Sequence, residues 1–206
     1  MNPLLEGLKK HLGEERLNRI AQTKVGIGGA GGLGSNVANH LVRSGFTQLV
    51  LVDFDRIEPS NLNRQFFFAD QIGMLKVEAL AENLRRINPD LDLTLYPERM
   101  TPKNIENLFA DCAIWVEAFD QASAKKLFVE YALKNKKQVV SASGMAGWGN
   151  TDTMHTKHWK SGFVVVGDLV SEISAELPPM SPRVGVAAAK EANVVLRWAL
   201  DEEGTK

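Results

Sequence analysis

The sequence predicts an α/β fold: a doubly wound, mostly parallel sheet with helices on both faces. Three observations predict it. Short apolar runs alternate with segments of helical periodicity from Lys24 to Ala142, the order that buries parallel strands under flanking helices. The first run, KVGIGGA at Lys24 to Ala30, ends in a glycine-rich turn that opens a helix. The second, QLVLVD, ends in Asp53, an acid where a Rossmann-like sheet places one to meet a nucleotide.

The elements follow in order. Asn2 to Gln22 has amphipathic character interrupted near Gly13, giving one or two short helices ahead of the sheet. Leu33 to Ser44 sets Val37, Leu41 and Val42 on one side of a helix. Met74 to Ile87 repeats that spacing with Val77, Leu80, Leu84 and Ile87, and stops before Asn88-Pro89. Leu91 to Tyr96 alternates as a strand, and Thr101-Pro102 starts a short helix over Asn104 to Ala110. Cys112 to Ala118 and Gln138 to Ala142 are buried strands, with a helix over Ala122 to Asn135 between them. Right-handed crossovers then bring Gly29 to Gly34, Asp53 and the residues after Ala118 to one sheet edge.

Beyond Ala142 the pattern changes. Ser143 to Asn150 is a glycine-bearing loop. Asp152 to Trp159 and Phe163 to Val166 read as a hairpin or two extra strands, a few antiparallel additions at the C-terminal end. Ser171 to Pro182 is irregular, and Val184 to Leu200 is a closing helix. The expected plan is a single domain over residues 1–206, with a helical extension (1–22), a crossover and extra-strand region (143–182) and a C-terminal helix (183–200).

Composition narrows the function. Hydrophobic residues make up 44% of 206 and the net charge is −1, so no bulk charge argues for a nucleic-acid or membrane partner. No apolar run is long enough to span a bilayer, and MNPLLEGLKKHLGEERLNRI lacks the apolar core of a secretory signal. A cytoplasmic location is expected. The single cysteine, Cys112, excludes an intrachain disulfide and an all-cysteine zinc site. At the start of a buried strand it reads as a core residue. His155 and His158, three apart on extended chain, face opposite ways and make no zinc pair.

Gly29, Gly31 and Gly34 fit G-x-G-x-x-G between strand and helix. The first permits the tight turn, the second lets backbone approach phosphate, and the third lets helix and strand pack closely. The helix N-terminus offers N–H groups to an anion. Asp53 is placed to accept bonds from ribose hydroxyls, with Asp55 on the same side. In Ser60 to Gln65, SNLNRQ, Arg64 presents a planar fork for phosphate oxygens and Asn61 a neutral donor. Lys76 is a compact cation at a helix start, able to offset charge on an α-phosphate. Asp120 lies where a carboxylate can hold Mg²⁺, cap the following helix, or do both. A nicotinamide-dependent oxidoreductase or a nucleotide-sensing module uses the turn and Asp53 equally well. It gives Arg64, Lys76 and Asp120 no joint role, so chemistry on a triphosphate is the better reading.

The segments GGAGGLGSN, LVDFDRIEPSNLNRQ, GMLKVEAL and EAFDQ resemble the ThiF/MoeB/HesA family, bacterial relatives of the ubiquitin-activating enzymes. The likeness covers residues 24–145 closely, with a weaker echo in PRVGVAAAKEAN, and is nearest to the short ThiF type. It implies adenylation of the C-terminal glycine carboxylate of a small ubiquitin-like sulfur carrier, ThiS-like and ending in Gly-Gly, in thiamine biosynthesis. The implied cofactors are ATP and Mg²⁺, with pyrophosphate released by a homodimer. Carried over by motif, Gly31 lies against the nucleotide, Asp53 holds the ribose, and Ser60, Asn61 and Arg64 line the phosphates. Lys76 contacts the phosphates, while Asp120 and Gln121 flank Mg-ATP with Asp120 on the metal. Gln121 stands where relatives often carry Asn.

The two C-x-x-C pairs of longer relatives are absent, so no zinc is expected. No cysteine follows Cys112, so no covalent cysteine step is expected either. Relatives also suggest that Arg16 or Arg19 reaches a partner's ATP. Phe66, Phe67 and Phe68 read as packing residues. Trp148 and Trp159 fit either a carrier-docking surface or the core, and Arg183 is a candidate for a phosphate or the carrier tail. Adenylation of another carboxylate, such as one on a modified tRNA base, is the alternative within this chemistry; near-neutral charge weighs against tRNA.

Overall fold

A computed structural model describes residues 2–200. Met1 and residues 201–206, part of the single-domain expectation, lie outside the described residues. Seven strands form one sheet: β1 (Lys24–Gly28), β2 (Gln48–Val52), β3 (Asp92–Tyr96), β4 (Ile114–Glu117), β5 (Gln138–Ala142), β6 (His155–Lys160) and β7 (Phe163–Gly167). Their order is β3-β2-β1-β4-β5-β7-β6. All pairings are parallel except β6 with β7, so the doubly wound, mostly parallel α/β expectation holds.

Among the described residues six α-helices accompany the strands: α1 (Pro3–Gln22), α2 (Gly32–Arg43), α3 (Lys76–Arg85), α4 (Ile105–Phe109), α5 (Ala122–Lys134) and α6 (Ser181–Ala199). Gly13 interrupts α1 at φ 77°, a conformation that costs glycine little. One core lies beneath α2, α3 and α6 and takes Ile27, Leu51, Val116 and Val140 from the strands. The other lies beneath α4 and α5, where the Phe109 and Phe128 rings pack within 4.9 Å of Trp115, centroid to centroid. Alternate residues of β4 serve the two cores: Ile114 and Val116 one, Trp115 the other.

The structure moves two sequence expectations. Only one of the two extra strands is an antiparallel addition, because β7 docks parallel to β5 and β6 folds back onto it. Cys112 precedes β4 rather than beginning it. Its N–H donates to the Phe109 carbonyl, closing the end of α4, so strand pairing with β1 begins at Ile114. No described helix is long and apolar enough to cross a membrane.

Candidate nucleotide-binding site

The C-terminal ends of β1, β2 and β4 border a cavity of about 760 Å³, where an open α/β sheet binds ligands. The glycine turn forms its floor. Gly29 has φ 98°, and a Cβ there would come 2.5 Å from the Ala118 carbonyl oxygen, so the turn tolerates no side chain. Gly34 sits behind the turn, outside the lining, where a Cβ would overlap the Gly29 carbonyl. It packs helix against strand rather than facing the cavity. Gly31 does line the cavity and is the N-cap of α2, with no side-chain cap. A Cβ there would meet only Gln65 Nε2 at 3.8 Å, so the backbone leaves room for the close approach of a phosphate.

That contrast separates the two glycines experimentally. Gly34→Ala is expected to lower stability by about 1–3 kcal/mol through overpacking, read as a fall in Tm. Gly31→Val is expected to keep Tm while weakening ATP binding by at least about tenfold, the loss of roughly 1.4 kcal/mol, read by ligand titration. Equal damage to Tm by both would contradict the assignment.

Asp53 follows β2. Its Oδ2 accepts from the Ala30 N–H at 2.6 Å and its Oδ1 from the Asp55 N–H at 2.8 Å. Burial raises its pKa above the usual carboxylate value, outweighing these N–H donors and the attraction of Lys76. The two donors orient the carboxylate and leave its remaining lone pairs for hydroxyls in the cavity. The chain then folds back through an antiparallel bridge, Arg56 to Leu75, which delivers Lys76 to the cavity wall as the first residue of α3. The helix therefore starts later than Met74. Lys76 is buried, and its Nζ lies 2.8 Å from Asp55 Oδ2.

The SNLNRQ turn is pinned against the glycine turn by α2. Asn36 Nδ2 donates to the carbonyls of Gly32 and Arg64, and Ser35 Oγ accepts from the Phe66 N–H. Arg64 Nη1 donates to the Ser60 carbonyl at 3.1 Å and to Asn63 Oδ1 at 2.8 Å. This fixes the guanidinium at the cavity edge, and burial lowers its pKa without discharging it. Asn61 is buried, lines the cavity, and spends its Oδ1 on the Glu58 N–H. Ser60 falls outside the lining. Its hydroxyl lies 3.5 Å from the Glu58 carboxylate, and only its carbonyl serves the site, by holding Arg64. Gln65 is a site residue that the motif reading passed over. It is buried, lines the cavity, and its Oε1 has no hydrogen-bond partner among the described residues.

Asp120 is exposed on the lip between β4 and α5, lines the cavity, and has no partner among the described residues. The N-cap of α5 is Gln121, without a side-chain cap bond, so Asp120 does not cap the helix. The turn before it is held by Glu117, whose Oε1 accepts from the Phe119 N–H at 2.8 Å. Glu117 is also bound by Lys125 and Ser141. Phe54, Arg99, Met100, Phe119 and Leu127 complete an apolar flank, with the Arg99 guanidinium 4.2 Å from the Phe54 ring centroid. Arg99 lies in an irregular stretch after β3, where no sequence period marks it.

Other candidates lie elsewhere. Arg183 is buried and turned toward Asp168 and the Asn150 carbonyl, away from the cavity. Arg19 pairs with Glu15 on the exposed side of α1. Trp148 and Trp159 are 66% and 62% exposed, which removes the core option for both. Phe67 is buried, whereas Phe68 is exposed.

A donor-lined cavity at the carboxyl edge of a parallel sheet, with an acid directly after its second strand, is the architecture of a nucleotide-binding α/β domain. The chain belongs to the ThiF family, matching it over residues 6–193. It is 36% identical over 147 residues to the adenylyltransferase and sulfurtransferase UBA4 of Candida glabrata, covering 71% of this chain and 33% of that one. It is 31% identical over 143 residues to the tRNA threonylcarbamoyladenosine dehydratase of Escherichia coli, covering 68% and 53%. The alignments thus span a third and about half of those proteins. A crystal structure of E. coli tRNA N6-threonylcarbamoyladenosine dehydratase, TcdA, in complex with ATP shares the fold. Its TM-score is 0.84 at 22% identity, over 97% of this chain and 96% of that one.

Proposed function

We propose that this ThiF-family domain is an ATP-dependent adenylyltransferase that activates a carboxylate and releases pyrophosphate. One observation carries the reading: Gly31, with Gln65 beside it, lines one cavity with Arg64, Lys76 and Asp53. A carboxylate is ionised at neutral pH, so its attack on the α-phosphate requires no general base. The protein's contribution is positioning and charge stabilisation. Asp53 orients the ribose, the Lys76 ammonium and the Arg64 fork face the phosphates, and Gln65 supplies an amide beside Gly31. Mg²⁺ carried by Asp120 would neutralise phosphate charge.

Similarity to the tRNA threonylcarbamoyladenosine dehydratases supports a carboxylate on a modified tRNA base as the substrate, ahead of a thiamine-pathway carrier. The terminal carboxylate of a small carrier protein is the second reading. It is favoured by the exposed apolar side chain of Ile173, which lines the cavity, and by that of Val170 three residues earlier in the same irregular segment.

ATP–pyrophosphate exchange tests both. Exchange should depend on tRNA bearing a free carboxylate on its modified base; dependence on a Gly-Gly-terminated carrier would select the second reading. No exchange with either would overturn the adenylation proposal.

No covalent thiol step enters the scheme. Cys112 is buried outside the cavity, and burial pushes its thiol up to about 12. At pH 8 a thiol reagent is therefore expected to leave the native protein and its exchange rate unchanged, and to titrate one thiol after denaturation. Rapid native labelling with loss of exchange would contradict this.

A further inference from the structure

The irregular segment between β7 and α6, residues 168–180, supplies Ile173 and Pro179 to the cavity wall. Its far end is fastened by the Gly147 N–H to the Pro178 carbonyl at 2.9 Å and by Asn63 Nδ2 to the Pro179 carbonyl at 3.1 Å. Its near end is fastened by the Leu169 N–H to the Ser143 carbonyl and by the Ala146 N–H to Ser171 Oγ, each at 3.2 Å, and by three bonds to the side chain of Asp168. Oδ1 of Asp168 accepts from the N–H groups of Val170 and Ser171 at 2.9 and 2.8 Å, and Oδ2 receives Nη2 of Arg183. Nη1 of Arg183 reaches the Asn150 carbonyl at 3.0 Å, tying in the loop ahead of β6. Between these fastenings the segment is open to solvent, with Val170 81% exposed.

Both partners of the ion pair are largely enclosed, so neither charge is cheap to leave unpaired. Burial alone would raise the pKa of Asp168. The Ser171 and Val170 donors and the Arg183 charge more than offset it and hold the carboxyl below its usual range. Arg183 also sits beside Val184, which lines the cavity and would lie 3.3 Å from a Cβ at Gly32. The pair therefore sets two things together: the near end of the crossover segment and the first turn of α6. Asp53 and Lys76 hold the opposite wall, on the elements that follow β2.

We propose that Asp168 and Arg183 are a positioning pair that holds the crossover segment as the acyl-substrate wall of the crevice. The kinetic part of this inference rests on the adenylation reading; the structural part does not.

Asp168→Asn and Arg183→Lys test it in the full chain. Asn keeps an acceptor for the Val170 and Ser171 N–H groups but removes the charge, and Lys keeps the charge but loses the fork. Limited proteolysis within residues 169–177 should be at least about fivefold faster in both variants, as local opening becomes easier. ATP affinity by titration should stay within about twofold, while KM for the acyl substrate rises about tenfold with kcat nearly unchanged. The double variant should be no worse than the poorer single one, as a coupled pair requires. ATP affinity falling in step with KM would overturn the proposal, as would unchanged proteolysis and KM in folded variants. Should one variant fail to fold, the other decides. Should wild-type exchange prove absent, proteolysis and ATP titration still test the pair, so its failure is distinguishable from failure of the adenylation reading.

Discussion

Lys76→Met is expected to slow ATP–pyrophosphate exchange by about 10²–10³-fold, the usual cost of removing one charge-stabilising donor from a water-poor site. The fold should survive. The methionine stem fills the volume of the lysine stem, and the lost partner, Asp55, has a side chain 46% exposed. Its carboxylate can take water in place of the ammonium, so the change in stability belongs with exposed ion pairs, about 0–1 kcal/mol. Asp55→Asn is the informative control. It leaves the ammonium in the cavity with a weaker tether, so ATP still meets a cation and the loss should be much smaller than for Lys76→Met. Near-normal exchange by Lys76→Met, at unchanged Tm, would remove Lys76 from the mechanism.

Lys76 also shows what kind of residue the sequence makes legible. Gly29, Asp53, Arg64 and Lys76 each sit at the end of a strand, in a short turn, or at a helix start. Local periodicity places such positions without knowledge of distant contacts. The order of strands then brings them to one edge, because crossover handedness leaves few arrangements. Residues whose role depends on a distant partner were hidden. Gln65 looked like the tail of a motif until its buried amide emerged beside Gly31. Ser60 shared that motif, yet the turn directs its hydroxyl to Glu58. Arg183 and Asp168 are fifteen positions apart with no period linking them, and they meet only because α6 folds back over the sheet. The parallel docking of β7 on β5 is equally non-local, since a strand's own residues do not say which neighbour it will choose. Trp148 and Trp159 look alike in sequence, but lie exposed on separate elements, a loop and an edge strand.

Glu191 is the most deeply hidden of these. It lies within a helix that reads as Ala- and Val-rich, is fully buried, and neither carboxyl oxygen has a hydrogen-bond partner among the described residues. Burial raises its pKa well above the usual value. The Glu117 carboxylate raises it further, and Lys125 offsets only part of this. The sign of the pH dependence follows. Below the unfolded pKa, near 4.3, both folded and unfolded chains hold the proton and the group costs nothing. As pH rises, the unfolded chain releases the proton while the folded chain keeps it. Stability then falls by about 1.4 kcal/mol per pH unit until the folded pKa is reached.

Glu191→Gln removes that term, so its stability relative to the parent is expected to rise as pH climbs above about 4.5 and to level off once the folded pKa is passed. The glutamine amide also lacks a partner, but that penalty is independent of pH, so the slope rather than the offset is the readout. Glu117 titrates in both proteins; burial raises its pKa, and the Lys125 charge and the bonds from Lys125, Ser141 and the Phe119 N–H offset only part of that. While the folded chain keeps the Glu191 proton, a neutral glutamine changes no charge beside Glu117 and should leave the turn that precedes Asp120 in place. ATP affinity at pH 7 should therefore be retained while denaturant melts show the pH-dependent gain. A stability difference that stays flat across this range would mean that Glu191 is as ionised in the folded chain as in the unfolded one, and its isolation in the core would need another explanation.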